Sequence, residues 1–135
     1  MGPLAERVRR FWFELWNDRA MDAVLEELHP DYTQTDHRAL TDSGVSRSEW
    51  EEVSRAWWEV VPDVAAVEFE PLGEKGSVLV YHVVFSGHDA VSGGQAEAAF
   101  HIVVGVRDGL FASVDMFEDR DAALACFNAR TATAI

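Results

Sequence analysis

A single cysteine, Cys126, among 135 residues leaves the chain unable to close an internal disulfide, which suits a reducing compartment. Basic residues are also scarce: 11 Lys and Arg stand against 24 Asp and Glu, a formal charge of −13. That field repels a phosphate backbone or an anionic membrane surface, and no basic cluster offsets it, so nucleic acid is excluded as a partner. No apolar run approaches the ~18 residues of a membrane span, and Met1-Gly2-Pro3-Leu4-Ala5-Glu6-Arg7 carries no apolar signal core. A soluble, cytoplasmic protein is expected. The chain also lacks a Gly-x-Ser-x-Gly elbow, a phosphate-binding glycine loop and a dinucleotide fingerprint, so no cofactor is expected. Repeats, low-complexity stretches and Pro-, Gly- or Ser-rich linkers are missing too. The expectation is one domain over residues 1–135, with an ordered core from about 4 to 128.

What is present is an ordinary globular balance, 48% hydrophobic and 26% charged. A chain of this length buries roughly two-thirds of its unfolded surface, enough for a core without a metal or disulfide staple. Leu4, Val8, Phe11, Trp12 and Leu15 form one apolar stripe at helical spacing. A shorter helix carries Met21, Val24, Leu25 and Leu28 and ends at His29-Pro30, because proline disfavours helical backbone in the residue before it. Tyr32 to Arg38 reads as a short extended segment. Ser46-Arg47-Ser48-Glu49 is a capping box, and the helix behind it runs to Pro62. Strand patterns follow over 64–72, 78–86, 95–106 and 111–118, the last two joined by Asp108-Gly109, a strong hairpin signal. A helix from Arg120 to about Phe127 follows an N-cap at Asp119, and the tail from Ala129 to Ile135 is expected to fray. The order predicts an α+β fold with helices gathered on one face of a curved antiparallel sheet.

A two-residue turn pairs Arg107 with Leu110, and uninterrupted pairing from there sets the faces of the last hairpin. One face then carries Gly105 with Ala112, Val103 with Val114, and His101 with Met116. The other carries Val106 with Phe111, Val104 with Ser113, Ile102 with Asp115, and Phe100 with Phe117. Both are largely apolar. With helices on only one, a homodimer through the sheet is expected to bury the other.

Three stretches carry a family likeness: the helix pair running into His29-Pro30-Asp31-Tyr32 and Asp36-His37-Arg38, the capping box whose helix ends at Pro62-Asp63, and Val106-Arg107-Asp108-Gly109 leading to Phe117-Glu118-Asp119. Together they resemble the nuclear transport factor 2-like superfamily, and within it the SnoaL-like group. The resemblance implies a cone-shaped sheet wrapped around the N-terminal helices, a deep apolar pocket and a dimer. It does not imply one activity, since the superfamily spans cyclases, isomerases, dehydratases, epoxide hydrolases and non-catalytic members. In its cyclases and limonene epoxide hydrolase-like members an inward carboxylate lies seven residues after the hairpin glycine. Here that position is Met116, with Asp115 expected on the opposite face. Asp36 lies where ketosteroid isomerase-like members keep a general base.

The candidate site residues follow. Burial at the mouth of an apolar pocket would raise the pKa of Asp36 toward general-base range; the plain alternative is a solvated pair with Arg38. His37 alternates to the opposite side, so only one of the two points fully inward unless the strand bulges. The family register puts His101, Val103, Val114 and Met116 on the pocket side, and His82 faces His101 if the 87–94 loop sets the right register. Trp12 and Trp57 are expected to line the cavity, with Tyr32 and His37 beside them. His37, His82, His88 and His101 show no metal-ligand spacing, so no metal is expected. Two functions stay open. One is a pocket for a small apolar, ring-bearing molecule, with cofactor-free isomerase or cyclase chemistry in which Asp36 takes the proton and His101 or His82 steadies the enolate. The other is a non-catalytic ligand-sensing or dimerisation module with a largely filled cone.

Overall fold

Pro3 opens the first helix at a position whose amide has no intrahelical partner, so the missing N–H costs nothing. In the computed structural model, which describes residues 1–38 and 44–132, this helix (α1, Pro3–Arg10) continues into a π-helical segment, Phe11–Trp16. Periodicity alone predicts one regular helix here. Trp12 and Trp16, four residues apart, both point inward, their ring centres 5.6 Å apart. No side chain of α1 caps its own start. Glu74 does so from the sheet, accepting from the Leu4 and Ala5 amides at 3.2 and 2.9 Å. A Cβ on Gly2 would lie 2.6 Å from that carboxylate, so a larger residue there would push the cap aside.

After α2 (Met21–Glu26) comes β1 (Leu28–Asp36), which begins four residues earlier than the sequence suggests. His29 is the reason. Buried, it accepts the Asp31 amide at Nδ1 (3.0 Å) and holds Asp108 of the distant hairpin turn at Nε2 (3.1 Å). A short β2 (Gly44–Ser46) leads into α3 (Arg47–Val60), where both capping-box bonds are made: Glu49 N–H to Ser46 Oγ at 3.3 Å and Ser46 N–H to Glu49 Oε1 at 3.1 Å. The remaining elements are β3 (Ala65–Lys75), β4 (Val78–His88), β5 (Gln95–Arg107), β6 (Leu110–Phe117) and α4 (Arg120–Ala132).

The six strands form one curved, unclosed sheet in the order β2-β1-β6-β5-β4-β3. It is mixed rather than wholly antiparallel, because β1 and β6 pair in parallel. Those strands are far apart in sequence, so no hairpin constrains their direction. The helices α1–α3 fill the concave face, giving the expected α+β cone.

The hairpin turn has positive φ at both Asp108 (55°) and Gly109 (77°), as a two-residue turn of this hand demands. Arg107 pairs with Leu110 and Val106 with Phe111 as predicted, but Ala112 is then an extra residue, and Gly105 meets Ser113, Val104 meets Val114 and Ile102 meets Met116. Such a bulge turns β6 over relative to β5. Phe100, Ile102 and Val104 therefore share the concave side with Phe111, Val114 and Met116, while His101 and Val103 face outward with Ser113 and Asp115. The expectation that His101 and Val103 lie beside Val114 and Met116 is corrected by this single residue.

The outer face is covered from within the chain. Asp119 caps α4 by accepting the Ala122 amide at 2.7 Å, and the helix sets Ala123 against Val80 and Val103, all three fully buried. Much of the apolar surface that suggested a dimer is thus occupied by α4. The helix also runs past Phe127, where fraying was expected, to Ala132. Thr131 Oγ1 donates to the Phe127 carbonyl (2.8 Å), and Arg130 reaches Asp115 at 3.1 Å and also bonds Ser113. The last three residues of the expected tail, 133–135, lie outside the described residues. Among the described residues no helix is long and apolar enough to cross a membrane. Replacing Ala123 by Asp would bury an unpaired charge under α4, and urea denaturation is expected to register a loss of about 3 kcal/mol.

Candidate functional site

Between the helices and the concave sheet lies a cavity of about 100 Å³. From the helical side it is walled by Trp12 and Trp16 of the π-helical segment and by Trp50, Ser54 and Trp57 of α3. From the sheet come Tyr32 and Gln34 of β1, Tyr81 and Phe85 of β4, the row Phe100, Ile102 and Val104, and Val114 with Met116. The rings pack edge to face, as their quadrupoles favour: Trp12 on Phe85 at 5.1 Å, Trp16 on Phe85 at 5.2 Å, Trp57 on Phe85 at 5.7 Å. Trp57 and Phe85 also line a second, apolar groove of about 340 Å³ beside Val60, Val61 and Ala98. They are the partition between the two spaces.

No charged side chain and no histidine is among the described residues lining the cavity. Its polar groups are neutral, and three pairs of them bond to each other. The Trp12 indole N–H donates to the Tyr81 hydroxyl (3.1 Å), the Trp16 indole to Ser54 Oγ (3.3 Å), and the Tyr32 hydroxyl to Gln34 Oε1 (2.9 Å). Burial drives both phenols well above their ordinary pKa, and for Tyr32 the neighbouring Tyr81 adds to the effect. Both remain protonated donors across the neutral range. Tyr81 accepts from Trp12, and among the described residues no acceptor takes its own hydrogen.

Of the residues singled out in the sequence, Trp12, Tyr32, Trp57, Val114 and Met116 border this cavity. Met116 occupies the inward position where a carboxylate was sought, and Asp115 points the other way, so no acid enters here. Asp36 continues the concave row after Tyr32 and Gln34 but stops at the rim. Arg38 binds it through Nε, Nη2 and its backbone amide, each at 2.9 Å, and the Arg38 guanidinium stands 4.5 Å over the ring of Phe100. These hydrogen bonds hold the Asp36 carboxyl below its ordinary value, against a smaller upward push from desolvation. The expected rise toward general-base range is therefore reversed.

His37 is on the outer side, 2.9 Å from Asp115 and stacked on Phe117 at 4.5 Å. The bulge at Ala112 puts His101 there too, with Val103 beneath α4. His82 does pair with His101 as the odd register required, but on that same outer face. None of these four reaches the cavity. Cys126, half-buried, is held as a thiol by desolvation and by Asp115, in keeping with an inert side chain. Sequence reasoning missed Tyr81, Gln34, Phe85 and the row Phe100, Ile102 and Val104.

A family model, SnoaL-like polyketide cyclase, matches residues 6–125. Among solved structures, IdmH, a candidate polyketide cyclase from Streptomyces antibioticus, is 17% identical with a TM-score of 0.71, over 90% of this chain and 96% of that one. A candidate SnoaL-like polyketide cyclase from Jannaschia sp. CCS1 is 18% identical with a TM-score of 0.70, over 96% of each chain. A Catenulispora acidiphila protein with a ketosteroid isomerase-like fold, solved with trimethylamine, is 14% identical with a TM-score of 0.65 over 95% of each. These identities speak for the fold alone, and no curated protein matches the chain. With the family model spanning all but the two ends of a cone folded as described, the chain belongs to the SnoaL-like polyketide cyclase family.

Proposed function

We propose that the chain binds a small, neutral, ring-bearing molecule in the cavity between its helices and its sheet, as a protein of the cytoplasm. The observation that carries this reading is an aromatic wall whose polar groups are all uncharged. A carboxylate or ammonium ligand would leave water with no counter-charge to meet it, a cost of several kcal/mol. An aromatic ring loses nothing on entry and gains edge-to-face contacts. Tyr81, whose hydrogen is uncommitted, favours an occupant with one acceptor oxygen. Size narrows the class to a single ring whose entry makes the aromatic wall give way, since a cavity of about 150 Å³ accepts benzene and this one is near 100 Å³.

A catalytic form of the reading uses cofactor-free proton transfer with Asp36 as base. Its support is the place of Asp36 on the concave row of β1, but Arg38 must first let go, because a paired carboxylate is a weaker base. Binding is the better-supported function. The small volume favours one competing reading, a module whose cone is largely filled by its own tryptophans. A homodimer through the sheet would use the strip that α4 leaves open, with Val67 and Ala99 exposed on it, and a sedimentation mass of twice 15.1 kDa is its expected signature.

Anisole and ethylbenzene match in shape and differ by one acceptor oxygen. Titrated against tryptophan fluorescence, both are expected to give a saturable shift, anisole the tighter. Tyr81→Phe should abolish that preference, a change of about fivefold for a hydrogen bond worth ~1 kcal/mol, and leave ethylbenzene binding as it was. A flat response to both probes moves the reading to the filled module. Trp57→Ala removes the partition to the outer groove, so naphthalene is expected to bind this variant at least tenfold tighter than the native chain; equal affinities would mean that Trp57 does not set the size limit.

A further inference from the structure

On the convex face, His82 of β4 stands directly opposite His101 of β5, with ring centres 4.6 Å apart and planes tilted by 31°. Both side chains are half-buried. We propose that this pair is a two-ligand site for a divalent transition-metal ion, binding the cation on the sheet surface away from the cavity. Three observations on the residues themselves support it.

The first is the tautomer of His101. Its Nδ1 lies 3.2 Å from the Glu118 carbonyl, which can only accept, so Nδ1 carries the hydrogen and Nε2 keeps the lone pair a metal takes. A backbone carbonyl holding the far nitrogen is the usual support of a metal-binding histidine. The second is availability. His29, His37 and His88 are each engaged by a carboxylate, of Asp108, Asp115 and Asp63. Among the described residues no hydrogen bond or ion pair engages His82. The third is reach. Two nitrogens bound to one ion at ~2.0–2.1 Å lie about 3 Å apart, which rings with centres 4.6 Å apart attain by small rotations.

The surroundings favour a cation. Glu70 of β3 is the register partner of His82 and extends the same cross-sheet row, and the chain carries a formal charge of −13. No cluster of three ligands occurs among the described residues, so water completes the coordination and the binding is modest in strength. Imidazole pairs take Cu²⁺ most strongly, with Zn²⁺ and Ni²⁺ behind it. A bridging ion would tie β4 to β5 in the folded state only, and so raise the melting temperature.

Calorimetric titration of the full chain with Cu²⁺, and separately Zn²⁺, at neutral pH tests the site. One ion per chain is expected, with at least a tenfold loss of affinity in His82→Gln and in His101→Gln and none in His88→Gln. Zn²⁺ should raise the melting temperature of the native chain and leave that of His82→Gln unchanged, provided both melt alike without metal. A measurement free of variants stands beside these: in imidazole NMR spectra of the native chain, Zn²⁺ should shift the His82 and His101 signals ahead of those of His29, His37 and His88. Absence of Cu²⁺ binding at millimolar concentration, unchanged binding in the doubly substituted chain, or first shifts at another histidine would each overturn the proposal.

Discussion

The cavity depends on one extra residue in the last hairpin. Without Ala112, β6 would carry Val114 and Met116 on the same side as His101 and Val103, and the concave row would be broken by an imidazole and a polar edge. With it, Phe100, Ile102 and Val104 continue the surface that Val114 and Met116 begin. A Cβ at Gly105, across from the bulge, would lie 2.8 Å from Ser113 Oγ and closer still to Arg130, so a larger residue there would displace the Arg130 guanidinium. The parallel strand β1 then adopts the register of β6, pairing Gln34 with Val114 and Asp36 with Met116, so its inward residues follow from the same displacement.

The helices are held to this sheet by polar atoms of aromatic and amide side chains as much as by burial. Leaving a buried indole N–H without a partner is costly. Trp12 finds one on β4 and Trp16 one on α3, so each ring locks two elements together while presenting its face to the cavity. Asn17, just after the π-helical segment, pairs with Ala66 of the edge strand as another strand would, donating to its carbonyl at 3.1 Å and accepting its amide at 2.8 Å. On the other face α4 covers much of the apolar surface, with Ala123 set against Val80 and Val103. The polar contacts of Arg130 with Asp115 and Ser113 fix its far end over the bulge.

Local signals were the legible ones. The capping box at Ser46, the cap at Asp119 and the Asp108-Gly109 turn each act within a few residues and are made as expected, whereas the second helix ends at Glu26, ahead of the stop read at His29-Pro30, because Leu28 to Pro30 already belong to β1. The aromatic stripe marked Trp12 and Trp57 correctly for the cavity wall because helical spacing and ring size act on the same face. What depends on counting along a ladder was not legible. One inserted residue reverses every later side chain, so Val103 and His101 were assigned to the wrong face while Val114 and Met116, numbered along the other strand, were assigned to the right one. The interaction that decides Asp36 lies only two residues along the chain, at Arg38. The sequence admitted both a desolvated carboxylate and a paired one; only the geometry places the guanidinium on it, beyond the apolar lining.

The pairing at the rim and the neutrality of the interior have a joint consequence. A carboxyl whose folded pKa lies below its unfolded value contributes stability at any pH above the ordinary carboxylate range, and that contribution is lost as pH falls through the lower, folded value. Through the neutral range Asp36 and Arg38 are therefore a fixed pair of opposite charges, a dipole at the edge of the cavity with no net charge. The phenols inside are displaced the other way, upward, and keep their hydrogens over the same range. Neither the Asp36–Arg38 pair nor the two phenols changes protonation near neutrality, so none of the four takes up or releases a proton when a neutral occupant enters. An occupant that must ionise to react would have to draw on a group that the folded chain holds in its less reactive form, and this is the physical ground on which the proposed binding stands ahead of acid–base turnover.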